Sequence, residues 1–208
     1  MKTIKQYAEI ITQTDYDTAL RIITTAGRVC YQSERKGTRE HDERFIRNLI
    51  KSRHDSVLEH FSITYRLVTS RTVSHQLVRH RIGHSYSQAS QRYCNYSNDK
   101  FGNEVSFIIP EDEDILPILK HSCITAEQSY FNLLECGAKP EIARSVLPNS
   151  TATEIIVTSN IRALRNLLKL RLQPDVQPEF RELMLELLRL VHIQYPVFVE
   201  DLWEEYYV

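Results

Sequence analysis

Arg79-His80-Arg81-Ile82-Gly83-His84-Ser85-Tyr86-Ser87-Gln88-Ala89-Ser90-Gln91-Arg92-Tyr93 holds three arginines, two histidines, three serines, two glutamines and two tyrosines in fifteen residues. Only Ile82 and Ala89 are plainly apolar, so burying the stretch as core would strand charged and polar groups. Its guanidinium forks, amides, hydroxyls and aromatic faces suit a phosphorylated, planar ligand such as a nucleotide or flavin. Just upstream, Val73 and Leu77 are four residues apart, as are His75 and Arg79. That spacing predicts one helix from Ser70 to Arg81, with Gln76 on the face of Arg79 and His80. Gly83 stands where a helix stops in a left-handed residue. The serine- and glutamine-rich remainder, without an apolar period, is predicted to be a loop. A solvated basic helix end is the simpler account of an isolated Arg-His-Arg, because such ends complement the helix dipole. The hydrogen-bonding loop that follows argues for a ligand instead.

Moving outward, 208 residues with 42% hydrophobic content suffice for one domain, residues 1–208, with a sizeable core. The net charge of −1 gives no global basic field for nucleic acid or anionic membrane, so the local basic cluster reads as a site. No apolar run approaches the roughly 20 residues of a membrane span. The N-terminal MKTIKQYAEIITQTDYD lacks a signal peptide's apolar centre, so a cytoplasmic location is expected. Cys30, Cys94, Cys123 and Cys136 are scattered, and reduced thiols are expected.

Thr14, with Asp15 and Asp17 behind it, reads as the cap of a first helix that Gly27 ends. A charged connection, Ser33 to Arg39, leads to a second helix with Phe45, Ile46, Leu49 and Ile50 as its stripe. His54-Asp55-Ser56-Val57-Leu58-Glu59-His60 follows, then a strand over Phe61 to Val68. The His-x5-His spacing fits no common zinc pattern and no further ligand has a clear position, so no metal is expected. Cys94 to Asn103 is turn-rich, and Val105 to Ile109 reads as a strand ended by Pro110. Leu116, Leu119, Cys123, Ala126, Tyr130 and Leu133 mark a long amphipathic helix closed by Gly137, with Pro117 in its first turn. A short helix lies between Pro140 and Pro148. Thr151 to Ser159 is a strand, and Asn160 caps a helix with Leu164, Leu167, Leu168 and Arg171 at i, i+3, i+4 and i+7. A guanidinium there needs a carboxylate or a ligand, or it snorkels past the helix end. Asp175 is expected to cap the final long helix, whose stripe is Phe180, Leu183, Leu187 and Val191.

The opening stretch resembles the signature of the flavin-dependent thymidylate synthases, in which Arg-His-Arg precedes a serine by seven or sometimes eight residues. Ser90 stands at that serine, and the spacer Ile82 to Ala89 is the longer form. The resemblance extends to His54-x-Ser56 before Glu59-His60, to Arg144 before Val146-Leu147-Pro148, and to Asn160-x-Arg162-x3-Asn166-x4-Arg171, covering about His54 to Val191. The chain departs from the family's common pattern in having no acid at Gln88 or Ala89, and in reading Gln173-Pro174-Asp175 where a histidine is common.

The resemblance implies an α+β fold in a single domain, several long helices packed with a small, mainly antiparallel sheet. It implies reductive methylation of dUMP to dTMP, with methylenetetrahydrofolate giving the carbon, FAD the hydride and NADPH the electrons. Gln76, Arg79, Gln88, Ser90, Gln91, Arg92, Arg144 and Arg171 would hold dUMP. His54, Ser56, Arg79, His80, Arg81, Gln88, Asn160, Arg162 and Asn166 would contact FAD, and Arg171, Ser90 and His54 would serve the chemistry. A homotetramer with shared active sites is also implied. With five glycines and neither a P-loop nor G-x-G-x-x-G, a Rossmann-type flavin site is disfavoured. A thiolate mechanism at Cys94 lacks the cysteine signature of the unrelated synthases. Two rivals stay open, a non-catalytic phosphate- or RNA-binding module and a flavin enzyme acting on another nucleotide.

Overall fold

The computed structural model describes residues 1–30, 32–34, 37–110 and 112–207. Strands β1 (Lys2–Thr3) and β2 (Tyr7–Ile10) precede helix α1 (Tyr16–Val29). Asp15 rather than Thr14 caps α1, its carboxylate accepting from the Thr18 amide at 2.8 Å. Gly27 does not end this helix but lies inside it, where a Cβ would come 2.7 Å from the Phe45 ring. The glycine thus serves the close approach of helix α2 (Arg39–Lys51), which Thr38 caps. Residues 35 and 36 of the charged connection lie outside the described residues.

A 3₁₀ turn over Asp55–His60 leads into β3 (Ser62–Ser70), α3 (Arg71–Leu77) and β4 (His84–Gln88). A second turn at Asp99–Phe101 precedes β5 (Ser106–Phe107) and α4 (Leu116–Glu135). Pro117 lies in the first turn of α4, and Gly137 follows its end at φ +86°. Then come α5 (Pro140–Ala143), β6 (Ala152–Asn160), α6 (Ile161–Arg171), α7 (Pro178–Gln194) and α8 (Glu200–Tyr207). The architecture is α+β: helices with a small, mainly antiparallel sheet of order β2-β3-β6-β4. A separate parallel pair sets Lys2 of β1 opposite Ser106 of β5.

Two compact units interleave along the chain. The first comprises Met1–Tyr7, Leu67–Arg79 and Ser87–Ile155, and the second Ala8–Arg66, His80–Tyr86 and Ile156–Val208. Four of the five boundaries fall within β2, β3, β4 and β6, and the fifth between Arg79 and His80. The first unit's core gathers Val105, Phe107, Ile109, Cys123, Tyr130 and Ala143. In the second, α1 packs on α2, and α6 on both α7 and the Asp55–His60 turn. Its stripe residues Leu164, Leu167 and Leu168 are fully buried, each contributing roughly 1.5–3 kcal/mol.

Three further expectations are corrected. The helix predicted over Ser70 to Arg81 stops at Leu77, so Gln76, Arg79 and His80 do not share its face. Val73 and Leu77 are its buried pair, and no apolar residue follows at 79–81 to hold another turn. The predicted loop contains a strand, β4, whose His84, Tyr86 and Gln88 are half-buried while Ser85 and Ser87 are exposed. Its alternation is polar on both faces, so no apolar period announced it. Asp175 is exposed and caps nothing, for α7 begins after Gln177 with Pro178 in its first turn.

Candidate active site

The residues expected to bind ligands divide between the two units. In the first, α3 is capped by Ser70, whose hydroxyl accepts from the Val73 amide. This places Arg71 half-buried on its opening turn, with a guanidinium nitrogen 3.2 Å from His75 Nε2. Burial holds the Arg71 pKa below the usual guanidinium range, and the charge of Arg144 acts in the same direction. Partial burial also lowers His75, with Arg71 adding to the effect, so a neutral imidazole accepts from the guanidinium. Arg144 follows α5 and donates from Nε to the Glu141 carbonyl at 3.3 Å. The Glu141 carboxylate meets Arg92 at 2.9 Å, tying the Ser90–Arg92 turn to α5.

Gln88, at the end of β4, donates from Nε2 to Ser74 Oγ at 3.0 Å and Thr153 Oγ1 at 3.1 Å. Ser90 closes the next turn by accepting the Tyr93 and Cys94 amides on its carbonyl. Gln91 is buried, and its Nε2 makes no hydrogen bond of good geometry. A buried amide donor left this way costs about 1–3 kcal/mol, a cost that a ligand acceptor would remove. Gln76 is half-buried on α3, and Arg79 is exposed just beyond it. The first unit therefore collects cations and amide groups suited to an anionic, hydrogen-bonding ligand.

In the second unit, Asn160 ends β6 and caps α6, its Oδ1 accepting from the Ala163 amide at 2.8 Å. Asn160, Arg162 and Asn166 line one cavity of about 510 Å³. Asp55, Glu59, Gly83 and Lys169 also line it, and none of these four was expected from sequence to bind a ligand. Lys169 was legible, since it lies three residues beyond Asn166 and seven beyond Arg162 on the same helical face. Glu59 was expected only to brace its own turn, but it pairs with Arg162 at 2.6 Å. No sequence signal links two residues 103 positions apart. His54 and Ser56 are exposed on the Asp55–His60 turn and do not line this cavity; nor do His80 and Arg81.

Arg171, at the end of α6, donates from Nε to His80 Nε2 at 2.9 Å, and its guanidinium lies over the Phe180 ring, 5.0 Å from the centroid. Its predicted place on the apolar stripe thus resolves into a half-buried cation held by an imidazole and an aromatic face. The His80 carbonyl accepts from the Tyr86 hydroxyl. His84 stacks on Tyr86 and contacts Ser159 Oγ through Nδ1 at 2.6 Å. Burial, reinforced by His80, holds the His84 imidazole down to about 4, so it is neutral at physiological pH. The Tyr86 hydroxyl is pushed up to about 12 by burial.

The fold is shared with the crystal structure of a UMP/dUMP methylase, PolB, from Streptomyces cacaoi bound with 5-Br dUMP. The TM-score is 0.83 at 24% identity, over 99% of this chain and 98% of that one. The model of the family described as thymidylate synthase complementing protein matches residues 9–197, further toward both ends than the resemblance reached. A protein of Geobacter sulfurreducens named flavin-dependent thymidylate synthase is 37% identical over 186 residues, 86% of this chain and 80% of its own. One of the same name from Mycobacterium tuberculosis is 33% identical over 210 residues, 90% of this chain and 81% of its own. The chain belongs to the thymidylate synthase complementing protein family.

Proposed function

We propose that the protein is a flavin-dependent thymidylate synthase that converts dUMP to dTMP. In this reading FAD is the flavin, methylenetetrahydrofolate the carbon donor and NADPH the reductant. One observation carries the reading beyond family membership: Asn160, Arg162 and Asn166, separate in sequence, line a single cavity at the start of α6. The donor set there fits a dinucleotide. Arg162 and Lys169 supply cations, α6 adds the positive end of its dipole, and the carboxylates of Asp55 and Glu59 can accept from ribose hydroxyls. Gly83 forms part of the wall with bare backbone, since a Cβ there would lie 2.7 Å from both Ala163 Cβ and Asn160 Nδ2.

When bound and reduced, the flavin supplies the hydride. The chain's own residues position and polarise. In the first unit, Arg71, Arg92 and Arg144 offer guanidinium groups to a phosphate, with Arg79 beyond α3. Gln88, Ser90 and Gln91 add hydrogen bonds that fix orientation. In the second unit, Arg171 presents a fixed cation to uracil N3 and O2, favouring the ionised form of the base. His54 and Ser56 stand as flavin contacts on the family pattern. On the family pattern the active site is shared between subunits of a homotetramer.

Three experiments test this. Titration with FAD should give a yellow protein that keeps its flavin spectrum after desalting, whereas a colourless protein would sink the enzyme reading. Arg171→Ala should keep FAD and lose nearly all turnover of dUMP to dTMP, and turnover near wild type would make Arg171 structural. For the shared site, Arg79→Ala and Arg92→Ala should each be nearly inactive alone. Mixed tetramers of the two should recover activity, because some sites would draw one intact arginine from each subunit. No recovery in verified mixed tetramers would count against sharing between these two arginines.

A further inference from the structure

Two residues expected to serve different ligands, His80 and Arg171, are hydrogen-bonded to each other in the second unit. The contact is a donation from Arg171 Nε to His80 Nε2 at 2.9 Å. An arginine side chain has donors only, so the imidazole nitrogen that meets it must offer a lone pair. The contact in this geometry requires a neutral His80 with its proton on Nδ1. An imidazolium would set N–H against N–H and place two cations in contact.

The groups around this pair fix the geometry further. The Arg171 guanidinium lies over the ring of Phe180 of α7, 5.0 Å from its centroid. The bond to His80 through Nε and the contact with Phe180 together restrict how the fork can turn. Its Nη edge carries the paired donors that can meet a planar acceptor. His80 is itself held by its carbonyl, which accepts from the Tyr86 hydroxyl of β4. The titratable and charged groups facing His80 include Arg171 from α6, and His84 and Tyr86 from β4. His84 titrates near 4 and Tyr86 near 12, so between those limits neither changes charge.

We infer that His80, as the neutral Nδ1–H tautomer, is a positioning residue: it sets the orientation in which Arg171 meets the base of dUMP, and its protonation releases Arg171. The inference rests on the proposed role of Arg171 in holding dUMP. It predicts that a side chain with a non-titrating acceptor at the place of Nε2 can substitute, whereas a ring of similar size without one cannot.

The test uses the FAD-loaded protein and dUMP binding measured by calorimetry from pH 5.5 to 8.5, beside nitrogen NMR of histidine-labelled, ligand-free protein. His80→Phe identifies the His80 signals by their absence. Wild type should show His80 with Nδ1 protonated and Nε2 bare at neutral pH. His80→Phe should weaken dUMP binding roughly ten- to hundred-fold, the scale of one charge-assisted hydrogen bond. His80→Gln should recover most of that loss through its side-chain oxygen. Lowering the pH should weaken binding to wild type more than to His80→Gln, the dUMP phosphate titrating alike in both. Nε2 protonated at neutral pH, equal affinities for the Phe and Gln variants, or parallel pH profiles would each overturn the inference. Absence of dUMP binding to the wild type would instead overturn the functional reading, and this inference with it.

Discussion

Gly83→Ala probes the wall of the α6 cavity. Gly83 has φ +75°, and its carbonyl accepts from the Asn160 amide at 3.1 Å. An alanine there pays first for the left-handed backbone, roughly 1–2 kcal/mol. Its Cβ would then lie 2.7 Å from Ala163 Cβ, which is fixed to α6 and cannot swing aside. Overpacking of this kind costs about 1–3 kcal/mol. The same Cβ meets Asn160 Nδ2 at 2.7 Å, so relief by moving Asn160 would weaken the α6 cap, worth about 1 kcal/mol. We expect a loss of about 3 kcal/mol, a large share of a stability of roughly 5–15 kcal/mol. Urea unfolding at fixed protein concentration should show a lower midpoint with an unchanged slope. FAD affinity should fall as well, since Gly83, Asn160 and Ala163 all line the cavity. Gly83→Asn removes part of the backbone penalty but keeps the clash, and should lie between wild type and alanine or match the latter. A Gly83→Ala protein within about 0.5 kcal/mol of wild type would refute the close approach of this turn to α6.

Two further outcomes are expected. Arg165 is buried at 4% exposure, donates to Asp201 at 2.6 and 2.7 Å, and also bonds the Phe198 carbonyl. Asp201→Ala strands that cation and should cost about 1–3 kcal/mol, discounted because the Asp201 side chain is 47% exposed. Burial alone would raise the Asp201 carboxyl, but the hydrogen bond and charge of Arg165 reverse this and hold it below the usual range. Its contribution is therefore present above an ordinary carboxyl value of roughly 3.9 and is lost as pH falls through the lower folded value. Denaturation midpoints against pH should lose that acid component in Asp201→Asn. Cys94→Ser should keep its turnover, and an inactive but folded variant would restore the thiolate mechanism.

Helices with a strong apolar period were legible in the sequence. In α6 the residues Leu164, Leu167 and Leu168 are buried as their spacing required, and Asn160 caps the helix. β6 was legible because β-branched residues crowd it. β1 and β2 are two and four residues long, too short to show a pattern of their own. The α8 helix went unread, although Leu202 is its buried residue and Trp203 stacks on His192. For the site, sequence supplied the residue types but not their partners. Arg162 with Glu59, and Arg171 with His80, join positions 103 and 91 apart. Such pairings follow from how α6 packs, which no local period reports.

The longer spacer between Arg81 and Ser90 has a structural account. In a strand, one added residue turns every later side chain to the opposite face unless a bulge absorbs it. β4 alternates without a break, with His84, Tyr86 and Gln88 half-buried and Ser85 and Ser87 exposed. Pairing with β6 continues past its end, since the Ala89 amide donates to the Glu154 carbonyl at 2.9 Å. The turn before the strand, where Ile82 is 93% exposed and Gly83 is left-handed, has room for an added residue. Lengthening a turn by one residue costs only a few tenths of a kcal/mol in closure entropy. An added residue there leaves the strand's register, and with it the bonds of Gln88 to Ser74 and Thr153, as they are. That turn is also part of the cavity wall, where Ile82 and Gly83 both lie. Any difference from relatives with the shorter spacer should accordingly appear in the binding of the ligand at α6, and not in the contacts that Gln88 and Ser90 make.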